Sequence, residues 1–460
     1  MRKLGNVDPL QGPILRGMLL YSLPVLTSSI LQMMFSTVDT AVIGRFGTET
    51  AMSAMGVSSS VTQLLMMFLW TLGSGVTIVM GTMYGRKDIE GIRRLQQTLP
   101  LTFFTVGSIL GLLVCIFARP ILTLIKCPES LMADALLYFR LTFIGAPFSL
   151  CYEMPSYSLN AKGESLIPMF FAFGTALLNT LLDLLFVGVF RWNVFGVGLA
   201  TVIAHAAVAV VGLIYLCRRD DELRIDLREL TLFQGIGPVF AVSVPHALES
   251  FILNLSSVII SAFVNSFDSV VIAGNTVGSS IGSLATIAFT SLSGAATVYI
   301  SQNNGAGDLD RVEKTWLTSI VTASLLTETF GVTLYLASPL LCRLFTDDPA
   351  VIAAARTYMF FMCLFFGLNA LMNIGTGCIT GMGDSKSPLL MSIICSVFFR
   401  ITWLYTYARS RGTIESVYVA YPLCWLLYSV LSNLKIELYI IIFFKFRISF
   451  AQITENIISL

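Results

Sequence analysis

The carboxyl group of Asp39 lies in a stretch of sequence that is otherwise apolar. Gln32, Ser36 and Asp39 are spaced i, i+4 and i+7, so they form one polar stripe if the stretch is helical. An ionised carboxylate in apolar surroundings is costly unless it binds a proton or a cation. Asp39 is therefore a candidate for cation or proton binding, and capping of its helix end is the alternative role.

A second polar stripe contains Asp183. Thr175, Asn179 and Asp183 are spaced i, i+4 and i+8 in another apolar run. With a rise of about 1.5 Å per residue, Asp39 and Asp183 reach similar depths in helices that run in the same direction. Two carboxyl groups at one depth can share a proton or hold a small cation, and their titration is then coupled. The sequence predicts a coupling centre made of Asp39, Asn179 and Asp183.

A third group of candidates surrounds Pro245. His246 and Glu249 are one helical turn apart and could form a second site for a cation or a substrate. The alternative is a local pair between Glu249 and His246. Gln32 and Ser36 are further candidates for substrate contacts. Pro24 and Pro245 each remove a backbone donor from a helix, so we expect helix hinges there.

The composition places these groups in a membrane protein. Of 460 residues, 55% are hydrophobic and 12% are charged, about half the charged fraction of a soluble protein. The mean hydropathy is +0.81. A net charge of +1 gives no reason to expect a nucleic-acid partner. The sequence has no GxxxxGK[ST] loop, no CxxC pair and only two histidines, so we expect neither an enzyme, a metal site nor a cofactor.

Twelve apolar runs are long enough to span a bilayer. They lie near 15–43, 52–82, 95–118, 131–160, 166–190, 195–217, 236–265, 270–300, 314–338, 351–380, 388–408 and 417–444. Most lysines and arginines fall on one side of the resulting topology, which predicts that both termini are cytoplasmic. We expect an all-α membrane protein with twelve transmembrane helices in two pseudo-symmetric six-helix bundles.

The two bundles are expected because the sequence repeats itself after about 220 residues. GRKD at Gly85–Asp88 corresponds to GAGD at Gly305–Asp308, and KGESLIP at Lys162–Pro168 corresponds to MGDSKSP at Met382–Pro388. VSSSVTQL likewise returns as VGSSIGSL, and Pro24 is matched by Pro245. Paired halves of this kind are typical of transporters that alternate between two openings. The expected domains are a bundle at 1–217, a cytoplasmic linker at 218–235 and a bundle at 236–460.

These residues resemble the multidrug and toxic compound extrusion (MATE) family, nearest its DinF-like bacterial branch. The resemblance covers nearly the whole chain and includes QMMFSTVDTAVIGRFG at Gln32–Gly47 and NTLLDLLFV at Asn179–Val187. It implies export of amphipathic, often cationic compounds in exchange for protons or sodium. It also implies a coupling site at Asp39, Asn179 and Asp183. The second half has Phe399 and Trp403 at the positions of Asn179 and Asp183, so coupling is expected in the first half alone.

The runner-up interpretation is a flippase for lipid-linked saccharides, which the same superfamily fold supports. A diphosphate cargo would favour a basic cavity, whereas the residues embedded in the spans here are mostly acidic. We therefore favour a monomeric antiporter of the bacterial inner membrane, with small molecules and the lipid bilayer as its partners.

Overall fold

The computed structural model describes residues 6–458, except the side chains of residues 284, 288 and 443–458. Residues 1–5 and 459–460, the ends of the two expected bundles, lie outside the described residues. The described elements are helices, apart from one bridge between Asn6 and Glu164.

The first seven α-helices form the first half of the repeat. They are α1 (Ile14–Phe46), α2 (Glu49–Arg86), α3 (Ile89–Leu124), α4 (Glu129–Ile144), α5 (Ala146–Lys162), α6 (Leu166–Asp183) with a π-helix at Leu184–Val189, and α7 (Asn193–Cys217).

The second half repeats this order. It contains α8 (Gly237–Val264), α9 (Ser269–Ala306), α10 (Leu309–Cys342), α11 (Pro349–Cys363), α12 (Phe366–Gly381), α13 (Lys386–Ser392), a π-helix (Ile393–Phe399), α14 (Arg400–Trp403), a π-helix (Leu404–Ala408), α15 (Arg409–Arg411), α16 (Ile414–Tyr418) and α17 (Ala420–Ile458).

The expectation of twelve spans is confirmed for the described residues. Ten helices are long and apolar enough to cross a bilayer, and two further spans are bent pairs. Each pair, α4 with α5 and α11 with α12, bends by 43°. The runs expected at 131–160 and 351–380 are therefore broken helices, and both break at the same place in the repeat.

The repeat extends to the caps of the helices. Asp88 accepts a hydrogen bond from the backbone N–H three residues on, at 2.9 Å, and Asp308 does the same at 3.0 Å. Gly163 and Gly383 both have a left-handed backbone, with φ of 97° and 91°, which a residue without a Cβ adopts at little cost. The matched sequence blocks thus encode matched helix ends.

The repeat also extends to contacts between helices. Thr77 Oγ1 on α2 donates to Tyr157 O on α5 at 3.0 Å, and Thr297 Oγ1 on α9 donates to Gly377 O on α12 at 3.1 Å. Hydroxyl groups that bond a neighbouring backbone hold transmembrane helices in close contact. Each half therefore uses the same type of contact at the same position.

The contacts divide the chain within α8, and not at the expected linker. One compact unit is built mainly from Arg16–Phe251 and the other mainly from Ile252–Leu460. The beginning of α8 packs in the first unit, where the rings of Phe68 and Phe251 meet edge to face at 6.5 Å. The segment 218–235 also belongs to that unit. This segment is more than a linker exposed to solvent, because its apolar side chains Leu223 and Ile225 are buried.

Charged side chains attach this segment to the end of α5. Lys162 Nζ lies 2.5 Å from Asp221 Oδ2 and 3.0 Å from Glu222 Oε1. Arg219 donates to both carboxylate oxygens of Glu164, at 2.9 and 2.8 Å, and also pairs with Asp221. Burial alone would raise the pKa of Asp221, but the hydrogen bonds from Arg219 and Lys162 outweigh it and hold that pKa well below its usual value.

Replacing Asp221 with Asn should lower the free energy of unfolding by about 1–3 kcal/mol, since Lys162 and Arg219 lose a charged acceptor. The exposed Asp220 provides the matched control, and Asp220→Asn should change stability little. Because the pKa of Asp221 is lowered in the folded state, its contribution is present above about pH 4 and disappears on further acidification. Thermal unfolding in detergent at several pH values measures both effects, and equal melting of the two variants would contradict the prediction.

Two glycines at equivalent positions allow close helix approach. A Cβ on Gly111 would overlap the carbonyl oxygen of Phe143, and a Cβ on Gly331 would overlap that of Cys363. Gly331→Ala should therefore cost about 1–3 kcal/mol through overpacking. Gly294→Ala is the control, since a Cβ there meets nothing within 4 Å. A melt in which both alanine variants are as stable as the parent would contradict this account of the crossing.

Candidate functional site

The structure brings Asp39, Asn179 and Asp183 together. The amide of Asn179 is assigned with its nitrogen toward the two carboxyl groups, the orientation that satisfies its hydrogen bonds. In this orientation Nδ2 donates to Asp39 Oδ1 at 2.8 Å and to Asp183 Oδ2 at 3.1 Å. The two carboxyl groups also lie within hydrogen-bonding reach of each other. One amide therefore bridges a carboxyl pair formed between α1 and α6.

This carboxyl pair is buried. Asp39 is 7% exposed, and Asn179 and Asp183 are fully buried. Within the part of the chain that the structure describes, no lysine, arginine or histidine forms an ion pair with either carboxyl group. Asp183 Oδ1 is buried without a hydrogen-bond partner among the same residues. Two unneutralised carboxylates in such surroundings favour the binding of a proton or cation.

The sequence of α6 explains how two members of the site face inward. Thr175 is 4% exposed and lies on the same helical face as Asn179 and Asp183, whereas Leu177 and Leu181 on the opposite face are half exposed. Immediately after Asp183 the α-helix gives way to the π-helix Leu184–Val189. Such wider turns often occur at functional sites.

Apolar side chains close the site toward the end of α1. Val42 and Ile43, one turn beyond Asp39, pack with Val187, Val194 and Val197. Tyr138 packs against the same cluster. The cluster keeps the surroundings of the carboxyl pair apolar, which makes an uncompensated charge there more costly.

Gln32 and Ser36 do not join Asp39, although the three share one stripe in sequence. Gln32 Nε2 donates to Glu153 Oε1 on α5 at 3.3 Å. Ser36 is exposed, and its hydroxyl has no hydrogen-bond partner among the described residues. The prediction of one polar stripe was therefore too simple, because Gln32 is long enough to reach a different helix.

The candidates near Pro245 form a pair within α8. His246 Nδ1 lies 3.3 Å from Glu249 Oε2, and Glu249 is 1% exposed. This is the local pair given above as the alternative for Glu249. Helices α1 and α8 both continue through their prolines, Pro24 and Pro245, and the hinge role of these residues stays a prediction.

The sequence reasoning missed a stack of three rings beside the site. His205 on α7 lies between Phe35 on α1 and Tyr152 on α5, with ring centroids at 6.0 and 5.1 Å. Its Nδ1 lies 2.8 Å from the hydroxyl oxygen of Ser149. The phenol of Tyr152 interacts in turn with Gln32 and Thr175. No sequence spacing predicts the stack, because its members come from three helices.

The chain matches a family model, and it does so twice. The model, described as MatE, matches residues 24–185 and again residues 245–406. The two matched ranges reproduce the internal repeat and together cover more than half of the chain.

Similar proteins and structures agree with this match. The probable multidrug resistance protein YpnP of Bacillus subtilis is 24% identical over 390 residues, covering 84% of this chain and 87% of that protein. The FAD transporter of Shewanella oneidensis is 25% identical, covering 84% and 86%. The solved structure of the MATE transporter VcmN from Vibrio cholerae, in the bent form, has a TM-score of 0.85 at 18% identity and covers 94% of this chain and 98% of that one. This chain therefore belongs to the MatE family of multi-pass membrane transporters.

Proposed function

We propose that the protein exports small amphipathic or cationic compounds in exchange for protons or sodium ions. The observation that carries this proposal is the buried pair of carboxyl groups at Asp39 and Asp183, bridged by Asn179 without a basic partner among the described residues. Relatives such as YpnP and the Multidrug export protein MepA of Staphylococcus aureus are named for drug resistance or export. They support efflux over the transfer of lipid-linked saccharides.

The proposed coupling follows from the charge of the pair. With both carboxyl groups ionised, repulsion between α1 and α6 is large because the surroundings screen it poorly. A bound proton removes one charge and provides a donor between the two carboxyl groups. Pro24 would let α1 bend in response. Export is driven only if the two conformations differ in affinity for the cation, since a ligand shifts an equilibrium through differential binding.

The orientation of the Asn179 amide would differ between the two candidate coupling ions. Its Nδ2 faces both carboxyl groups, and an N–H group is a donor that cannot ligate a cation. A sodium ion at the same point would require the amide to rotate and present its oxygen. The amide would therefore donate to the pair when a proton is bound and present its oxygen when sodium is bound.

The proposed setting is the bacterial cytoplasmic membrane, with a monomer whose two termini are cytoplasmic. The bacterial relatives and the distribution of basic residues support this setting. An acidic site also supports cationic cargo. The relative from Shewanella oneidensis is named for transport of FAD, so the relatives are named for different cargo.

Asp39→Asn and Asp183→Asn should each abolish export driven by an imposed gradient, lowering its rate by at least roughly tenfold, because Asn cannot take up a proton. Folding and equilibrium substrate binding should change little, since Asn has nearly the shape of Asp. Purified protein in liposomes with imposed pH or sodium gradients measures the effect. The control is Asp347→Asn, an exposed acid outside the site. If both site variants pump at the parental rate under either gradient, the coupling centre lies elsewhere.

Glu249 is proposed as a second contact for a cationic substrate or ion, with His246 as its neighbour. Glu249→Gln should weaken export of a lipophilic cation roughly tenfold, equivalent to 1.4 kcal/mol, and affect a neutral analogue of similar size much less. Paired transport assays with both compounds measure the difference. Equal losses would instead assign Glu249 to packing with His246.

A further inference from the structure

A polar cavity of about 150 Å³ lies in the first unit between α1, α5 and α6. Its lining includes Ser28 and Gln32 from α1, Glu153 and Asn160 from α5, and Ser165 at the start of α6. A cavity of this volume is large enough to hold several waters. A polar space of this kind within the bundle can hold water or a small cation.

Among the residues that the structure describes, Glu153 is the only acidic one that lines the cavity. It accepts a hydrogen bond from Gln32 Nε2 at 3.3 Å, and it forms no ion pair within the described chain. The titratable groups that interact with it are the phenols of Tyr152 and Tyr157 on its own helix. Behind Tyr152 lies the ring of His205 from α7, at 5.1 Å.

Among the described residues, no basic side chain of another helix forms an ion pair with Glu153. Toward α2, Tyr157 donates its hydroxyl to the carbonyl oxygen of Trp70 at 2.7 Å. Toward α3, the thiol of Cys151 faces the carbonyl oxygen of Pro100. Glu153 therefore resembles the Asp39–Asp183 pair, because it is a carboxyl group within a span that has polar neighbours and no positive partner among the described residues. Such a group is expected to bind a proton or a cation.

Polar side chains also lie between the cavity and the carboxyl pair. Gln32 contacts both Glu153 and the phenol of Tyr152. The same phenol interacts with Thr175, which precedes Asn179 by one helical turn on the buried face of α6. Polar groups of α1, α5 and α6 thus lie in the region between Glu153 and the bridging amide.

At the opposite end of the cavity, two of its lining residues contact Tyr21. Ser165 Oγ donates to Tyr21 O at 2.8 Å, and the Tyr21 hydroxyl reaches Asn160 O at 3.5 Å. Asn160 Oδ1 is buried and has no hydrogen-bond partner among the described residues. The cavity therefore ends just before the loop at Gly163, with a spare oxygen acceptor beside that end.

We propose that Glu153 and this cavity form a second binding station for the coupling cation, between the Asp39–Asp183 pair and the loop at Gly163. The inference rests on the proposed function. When the pair releases a proton, an O–H bond breaks at an aspartate, a cavity water carries the proton, and an O–H bond forms at the Glu153 carboxylate. The pair regains its negative charge as Glu153 loses its own. If sodium is the coupling ion, the oxygens of Glu153 and Asn160 ligate it.

A binding measurement tests the station without relying on transport. In purified protein, infrared difference spectra between acidic and alkaline buffer should contain a carboxyl band that is lost in Glu153→Gln and shifted in Glu153→Asp. Sodium added at fixed pH should remove the same band only if the ion competes for the site. Glu328→Gln is the control, because Glu328 is a span carboxylate of the second unit that already accepts the Gly367 N–H at 2.8 Å. A spectrum unchanged by Glu153→Gln overturns the proposal.

Transport in liposomes provides the second readout. Glu153→Gln should slow gradient-driven export roughly tenfold and raise the driving-cation concentration needed for half-maximal rate, with substrate binding within twofold of the parent. Glu153→Asp should restore part of the rate, and Glu328→Gln should keep the parental cation dependence. If neither gradient drives export by the parent protein, the proposed coupled export is wrong, even if the Glu153 carboxyl band responds to pH. If the parent pumps and Glu153→Gln matches it in rate and cation dependence, only the second station fails.

Discussion

The carboxyl pair of α1 and α6 can respond to a cation only if the surrounding helices place no positive charge beside it. Asp39 and Asp183 approach each other in apolar surroundings, and Asn179 supplies the hydrogen bonds that hold them. Three features leave these carboxyl groups without a compensating charge. They are the polar face of α6, the apolar cluster around Val42 and Val187 beyond Asp39, and the absence of basic neighbours among the described residues. A nearby lysine or arginine would stabilise the pair in its ionised form and weaken its response to a cation.

The two halves share their scaffold and differ in chemistry. Cap geometry, the bent spans and the helix crossings recur at equivalent positions. At the positions of Asn179 and Asp183, however, the second half has Phe399 and Trp403, whose rings pack at 5.9 Å. Arg400 beside them donates to the hydroxyl of Ser256 and lies over the ring of Tyr421. Helix packing constrains both copies of the repeat, whereas the second half has no carboxyl group at these two positions.

Much of the fold and of the candidate site could be predicted from the sequence. The lipid bilayer requires long apolar spans, and an acidic residue within such a span is easy to recognise. The twelve spans, the repeat and the approach of Asp39 to Asp183 follow from hydropathy and helical spacing. The partner of Gln32 does not, because a long flexible side chain can reach several helices. The packing of 218–235 was also missed, since its many charged residues conceal Leu223 and Ile225, which are almost fully buried.

Because a π-helix follows Asp183, the geometry of the site depends on how many residues this segment contains as well as on which residues they are. There the backbone N–H of Phe190 bonds the carbonyl of Leu185, five residues earlier, so the turn holds one residue more than an α-turn. Each residue of an α-helix advances the chain by about 100°. Loss of one residue within Leu184–Val189 would restore α-helical winding and leave the residues beyond it facing nearly as they do now. Insertion of one residue directly after Asp183 would instead rotate everything beyond it by about that angle relative to Asp183. The valine at 187 would then turn away from its cluster, although no acidic residue had been altered.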